Sequence, residues 1–211
     1  TMSRVLFLDE TVPESDLILF FCFVSIITDK LRGTVADIFA HGGKHEHVMQ
    51  MMKERDISII ESNILMKSYG KIGNPVGADQ YLRELLQNPD AEPDIVSFNM
   101  AINAYADSSL VDAFDKACDL MRLLESDPRC LSLGLRPNAV TFACLVKCAA
   151  TSKYQSAGEQ AEAILNKRER RYLAGKIDLK PDVVVYTSAI LTCFNAGDVN
   201  RANTLLARMH A

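Results

Sequence analysis

The chain has 211 residues, 23 basic and 27 acidic for a formal net charge of −4, 48% hydrophobic residues and no tryptophan. Six cysteines (Cys22, Cys118, Cys130, Cys144, Cys148 and Cys193) follow no disulfide-framework spacing, which argues against a disulfide-stapled scaffold and for free, buried thiols. The length would suit one compact domain, but internal repeats replace that expectation with an elongated array.

Residues 1–28 fit the repeats poorly. Their apolar run, Leu17 to Ile27, is shorter than the roughly 20 residues a bilayer requires, and the acidic Asp9, Glu10, Glu14 and Asp16 precede it, opposite to a secretory leader. The run reads as a buried helix or strand capping the array, or as a mistranslated intron at a gene-model edge. The chain begins at Thr1, so the lack of a presequence says nothing about targeting. Residues 29–58 form a degenerate repeat, in which Phe39–Gly43 parallels Tyr69–Gly73 and Val48, Met51 and Met52 supply a second-helix stripe. His41, His45, His47 and Glu46 crowd its turn. His45 and His47, two apart, point to different helix faces, so these residues are expected to be solvated rather than metal ligands.

From residue 59 the pattern is clear. Pro93–Asp94, Pro137–Asn138 and Pro181–Asp182 each precede two aliphatic residues and then an aromatic. A proline followed by Asp or Asn is a helix-start signal, because the side-chain oxygen caps free backbone N–H groups. First-helix stripes follow at i, i+3, i+4, i+7: Phe98, Ala101, Ile102, Tyr105; Phe142, Leu145, Val146, Ala149; Tyr186, Ala189, Ile190, Cys193; and, more weakly, Ser62, Leu65, Met66, Tyr69. Second-helix stripes begin at Ala78, Ala117, Ala161 and Ala202; the third runs through Ile164 and Leu165 onto Arg168. Measured from Asn63 to Asn99 to Ala143 to Thr187, the repeats are 36, 44 and 44 residues long. Helix pairs are therefore predicted at about 31–55, 59–87, 95–125, 139–170 and 183–209, in repeats 29–58, 59–94, 95–138, 139–182 and 183–211.

The two longer repeats carry insertions at their exits, 126–136 and 168–180, expected to lie away from any binding wall and to tolerate removal of five residues. Charge concentrates late, with Lys167, Arg168, Arg170, Arg171, Lys176 and Lys180 forming either a solvated face or a phosphate-contacting edge. Leu205, Leu206 and Met209 end the last stripe without a polar capping element. Cys144 and Cys148 lie one turn apart, but no further pair completes a four-ligand zinc set. No Gly-rich phosphate loop, HExxH or nucleophile elbow occurs, so no catalytic constellation and no cofactor are predicted.

These repeats resemble the pentatricopeptide repeat, through IIESNILMKSYGKIG, DIVSFNMAINAYA, NAVTFACLVKCAA and DVVVYTSAILTCFNAGDVNRANTLLARM. The resemblance covers residues 59–211 well and 29–58 weakly. The 44-residue repeats look like the long-form repeats of algal members and of the RNA-binding part of protein-only RNase P. The tetratricopeptide repeat has a similar helix pair, but it would place a tryptophan and Leu-Gly early in the first helix.

The resemblance implies an all-α, right-handed solenoid that binds single-stranded RNA, one base per repeat. The implied partners are single-stranded RNA and other RNA-processing proteins, with no membrane and no small-molecule substrate. The implied setting is RNA processing, stability or translation in a mitochondrion or plastid, without catalysis. The readers are the residue after the aromatic and the last residue before the next first helix, with an aliphatic residue sandwiching the base. Carried over, Asn63 and Asp94 with Ile60 favour uridine, and Asn99 and Asn138 with Val96 favour a pyrimidine. Ala143 pairs with Asp182 beside Val140, where the family has a polar reader and Ala143 has none. Thr187 with Val184 favours a purine, its second reader lying beyond Ala211. Gly33 and Ser58 of the degenerate repeat receive no assignment. Two other readings share the fold: a peptide-binding scaffold, and the recognition part of a larger RNA-processing enzyme.

Overall fold

A computed structural model describes residues 29–52, 58–152 and 156–210; the apolar run at 17–27 and Cys22 lie outside the described residues. Within the described residues the chain is all-helical. Helices α1 (Asp29–His41) and α2 (His45–Met52) form the first pair, followed by α3 (Ile59–Lys71) with α4 (Pro75–Gln87) and α5 (Ile95–Ala106) with α6 (Ala113–Ser126). A short α7 (Pro128–Ser132) precedes α8 (Ala139–Thr151) and α9 (Ala157–Leu173); a 3-10 turn (Ile177–Leu179) precedes α10 (Val183–Asn195) and α11 (Val199–Met209).

The predicted caps start the first helices. Asp94 Oδ1 accepts from the Ser97 N–H at 2.9 Å while Ser97 Oγ accepts from the Asp94 N–H at 3.2 Å, so two otherwise unpaired backbone donors are satisfied reciprocally. Asn138 and Thr141 repeat the exchange at 3.0 and 3.1 Å. Asp182 caps α10 through the Val185 N–H at 2.9 Å, with no return bond from the apolar Val185. The short turns between paired helices close on a left-handed glycine, Gly43 (φ 69°), Gly73 (φ 70°) and Gly197 (φ 79°), a conformation that a β-carbon would strain.

First helices stack on one another, α1 on α3, α3 on α5, α5 on α8 and α8 on α10, and form one continuous wall. Each second helix but the last packs behind it, in the groove between its own first helix and the next. The aromatics that open the stripes of α5 and α8 fill that groove. Phe98 and Phe142 are both 0% exposed; burying such a ring stabilises by about 2–3 kcal/mol. Tyr186 and Ile190, the matching residues of the last pair, are only half-buried, and Leu206 is exposed, because the described residues put no further pair over them. Second helices are tied to each other by ion pairs: Glu125 of α6 with Lys167 and Arg171 of α9, and Glu162 of α9 with Arg201 and Arg208 of α11.

The exits depart from expectation. They are packed parts of the stack rather than removable loops. Cys130 of α7 and Leu179 of the 3-10 turn are buried. Arg129 donates to the carbonyls of Pro89 and Ala91, binding one exit to the one before it. Arg168, at the stripe position where Leu124 stands one repeat earlier, is 2% exposed. Its guanidinium donates to the carbonyls of Leu179 at 3.1 Å and Lys180 at 2.9 Å and meets Asp182 Oδ2 at 3.4 Å. A buried charge is tolerated there because acceptors surround it.

Candidate nucleic-acid interface

The predicted readers all sit on the first turns of the first-helix wall or at its caps, and the packing of α3 on α5 and α5 on α8 brings two pairs together across repeat boundaries. Asn63 Nδ2 donates to Asp94 Oδ1 at 3.2 Å, and Asn99 Nδ2 donates to Asn138 Oδ1 at 3.4 Å. The other two sets do not join. Ala143 is exposed and has no polar group, and Asp182 turns to the Val185 N–H and Arg168 instead. That Val185 N–H bond and the Arg168 charge hold the Asp182 carboxyl below the usual aspartate range. Thr187 and Val184 are exposed on the last first helix.

Beside the readers stands a row of solvent-facing aliphatics at matching positions: Ile60 (68% exposed), Val96 (39%), Val140 (53%) and Val184 (70%). β-branched residues at exposed helix positions add nothing to helix propensity, and a repeated apolar row on one face marks a contact surface. Asn99 is only 7% exposed, and both ends of its amide are engaged, Nδ2 by Asn138 and Oδ1 by Thr141.

Two residues of this site were missed in the sequence. Ser97 Oγ donates to Asn63 Oδ1 at 2.8 Å, and Thr141 Oγ1 donates to Asn99 Oδ1 at 2.7 Å. Both look like ordinary small polar helix residues; the signal was their place three residues after the Asp or Asn cap. A second row, one turn further along the same helices, also escaped notice. Lys67 meets Asp37 at 2.9 Å, and Lys147 meets Asn103 at 2.9 Å and pairs with Asp107. The lysines of the wall are thus partly neutralised.

Three residues of the late basic cluster are engaged within the stack. Lys167 and Arg171 both pair with Glu125, Arg171 also lies 5.9 Å from the Phe142 ring centroid, and Arg168 is buried. Of the two readings of that cluster, these three residues fit neither: they are structural ties between repeats. The histidines of the first turn are partnered within the protein rather than simply solvated. His45 Nδ1 lies 2.8 Å from Ser68 Oγ, His41 Nδ1 lies 2.9 Å from the Asp37 carbonyl, and His47 stacks at 5.3 Å on Phe39. Burial pushes the Cys130 thiol up to about 11 and the Cys148 thiol up to about 12, so neither is a thiolate near neutrality. Among the described residues no helix is long and apolar enough to cross a membrane.

Residues 174–211 match the family model of the pentatricopeptide repeat domain, and residues 62–89 match that of the single PPR repeat. The structure is similar to that of the pentatricopeptide repeat protein PPR10 from maize, with a TM-score of 0.59 and 20% identity over 85% of this chain. PPR10 in complex with an 18-nt psaJ RNA element aligns with a TM-score of 0.46 and 21% identity over 86% of this chain. The chain spans about a quarter of the length of PPR10, 24% in the first comparison and 29% in the second. No curated protein matches the sequence significantly. The likeness of the long repeats to protein-only RNase P is not addressed by these matches. Residues 62–89 and 174–211 match the repeat models, the helix pairs between them are built on the same caps and stripes, and the fold is similar to that of a solved pentatricopeptide repeat solenoid: the chain carries pentatricopeptide repeats in those two stretches.

Proposed function

We propose that this protein binds single-stranded RNA along its first-helix wall, one base per repeat, without cleaving it. The observation that carries the reading is the meeting of Asn63 with Asp94 and of Asn99 with Asn138 across repeat boundaries, each beside an exposed aliphatic residue. A carboxamide has two N–H hydrogens and two oxygen lone pairs; with one of each engaged in the protein, one of each is left for the edge of a base. Ile60, Val96, Val140 and Val184 supply the apolar faces between which bases insert. The Asn63–Asp94 repeat selects uridine, the Asn99–Asn138 repeat a pyrimidine and the Thr187 repeat a purine. The Ala143–Asp182 repeat accepts any base, since Ala143 offers no hydrogen bond. On this proposal, recognition of this kind serves RNA processing, stability or translation in a mitochondrion or plastid, where a fluorescent fusion of the natural protein is expected to accumulate.

One observation favours a second reading, a peptide-binding scaffold. The net charge is −4, and Lys67 and Lys147 of the wall face Asp37 and Asp107. Phosphate contacts release counterions, so affinity for RNA falls with salt, by a slope near −0.7 per phosphate contact for single strands. Selection from a random RNA pool followed by titration over a range of salt tests the proposal. Enrichment of a short motif with a negative slope supports RNA recognition; no enrichment and no measurable binding favours the scaffold.

A further inference from the structure

We infer that Ser97 and Thr141 are positioning residues that fix the orientation of the reader amide in the preceding repeat and thereby sharpen its choice of base. This rests on the RNA-reading function proposed above. A free asparagine side chain can turn over, exchanging its oxygen and its NH2, and would then offer either a donor or an acceptor to the same base edge. At Asn99 that exchange is blocked by backbone groups, which cannot turn. The Thr141 N–H donates to Asn138 Oδ1 at 3.0 Å, so oxygen rather than nitrogen of Asn138 faces Asn99, and Asn99 must present Nδ2 to it. The Asn138 N–H donates to Thr141 Oγ1 at 3.1 Å, which leaves the hydroxyl proton for Asn99 Oδ1 at 2.7 Å.

The boundary before it is built the same way. Ser97 Oγ accepts from the Asp94 N–H at 3.2 Å and gives its proton to Asn63 Oδ1 at 2.8 Å, while Asp94 Oδ1 takes Asn63 Nδ2. Both hydroxyl residues are 0% exposed, so neither can touch RNA itself. They act only through the asparagine.

The four boundaries of the chain sort accordingly. The residue pairs at the reader position and the third position of the next first helix are Gly33 with Glu61, Asn63 with Ser97, Asn99 with Thr141 and Ala143 with Val185. A hydroxyl stands where an amide faces it and nowhere else. Capping alone does not account for this, because α10 starts on Asp182 with Val185 in the third place.

The test measures affinity for RNAs that differ at one base, for Thr141→Val, Thr141→Ser, Ala143→Asn and the pair Ala143→Asn with Val185→Thr. Thr141→Val is expected to lower discrimination at the base read by Asn99 by roughly five- to tenfold, the worth of one hydrogen bond. Preference at the base read by Asn63 is expected to hold, and Thr141→Ser is expected to retain both. Ala143→Asn alone is expected to add little preference, and the pair a clear one. Unchanged discrimination in Thr141→Val, equal loss at every base, or full preference from Ala143→Asn alone would overturn the inference. Should the wild type bind no RNA, the proposed function falls, and 15N relaxation of the Asn99 side-chain amide decides the positioning role by itself. Order lost in Thr141→Val and kept in Thr141→Ser supports it; equal mobility in all three overturns it.

Discussion

Asn99 combines two roles that pull in different directions. It is a reader in the proposed function, yet it is almost wholly buried and takes a hydroxyl proton from the next repeat. Asn99→Ala removes the amide but spares the stripe of Phe98, Ala101, Ile102 and Tyr105. Thr141 can then turn its proton to Asn138 Oδ1 at 3.1 Å, so thermal or urea melts should show a loss of only about 1 kcal/mol. Arg168 is the opposite case. Arg168→Ala leaves two carbonyls of the exit unpaired and a hole at a stripe position, and urea melts should show a loss of about 2–4 kcal/mol. Asp182 offers a pH test. Its carboxyl titrates below the usual aspartate range in the folded chain, so its capping stability is complete above the unfolded value of about 3.9 and is lost as pH falls through the folded one. Melts of the wild type and Asp182→Asn should therefore differ by a constant amount above that value and converge below it; a gap independent of pH down to strong acid would contradict the assignment. The proposed reader positions Asn99 and Thr187 were legible in the sequence because each follows the aromatic of its stripe, and Asn63 because it stands 36 residues before Asn99. The hydroxyls behind them were not, since their partner lies a whole repeat away and only stacking reveals it.

The helices of each pair were the most legible elements, because a capping residue, an apolar stripe and a turn glycine all mark the same boundaries. The exits were not. An insertion relative to a shorter repeat looks dispensable in one dimension, but α7 and the 3-10 turn put Cys130 and Leu179 into the core and close the space behind the next cap. Deletion of residues 128–132 removes a fully buried side chain and both bonds from Arg129. It is expected to cost about 3 kcal/mol or more in a urea melt, the scale of losing a buried side chain. An unchanged midpoint would mean that the exit is spare chain after all.

The whole molecule is a row of nearly equivalent boundaries, so its selectivity should divide into independent contributions, one per repeat. Arg168, Arg171 and Lys167 bind the stack together from its second helices, while the wall of first helices carries the proposed readers and the aliphatic row. The sequence alone pointed to the basic cluster as a possible phosphate edge because clustering in the chain does not reveal that Glu125 of the preceding repeat faces it. The most direct test of one-base-per-repeat recognition is competition binding of wild-type protein and Asn99→Thr against a selected RNA and its single-base variants. A pyrimidine-to-purine change of preference at one position, with all other positions unaltered, is the predicted result. A preference that stays the same at every position, or that changes at several at once, would contradict it.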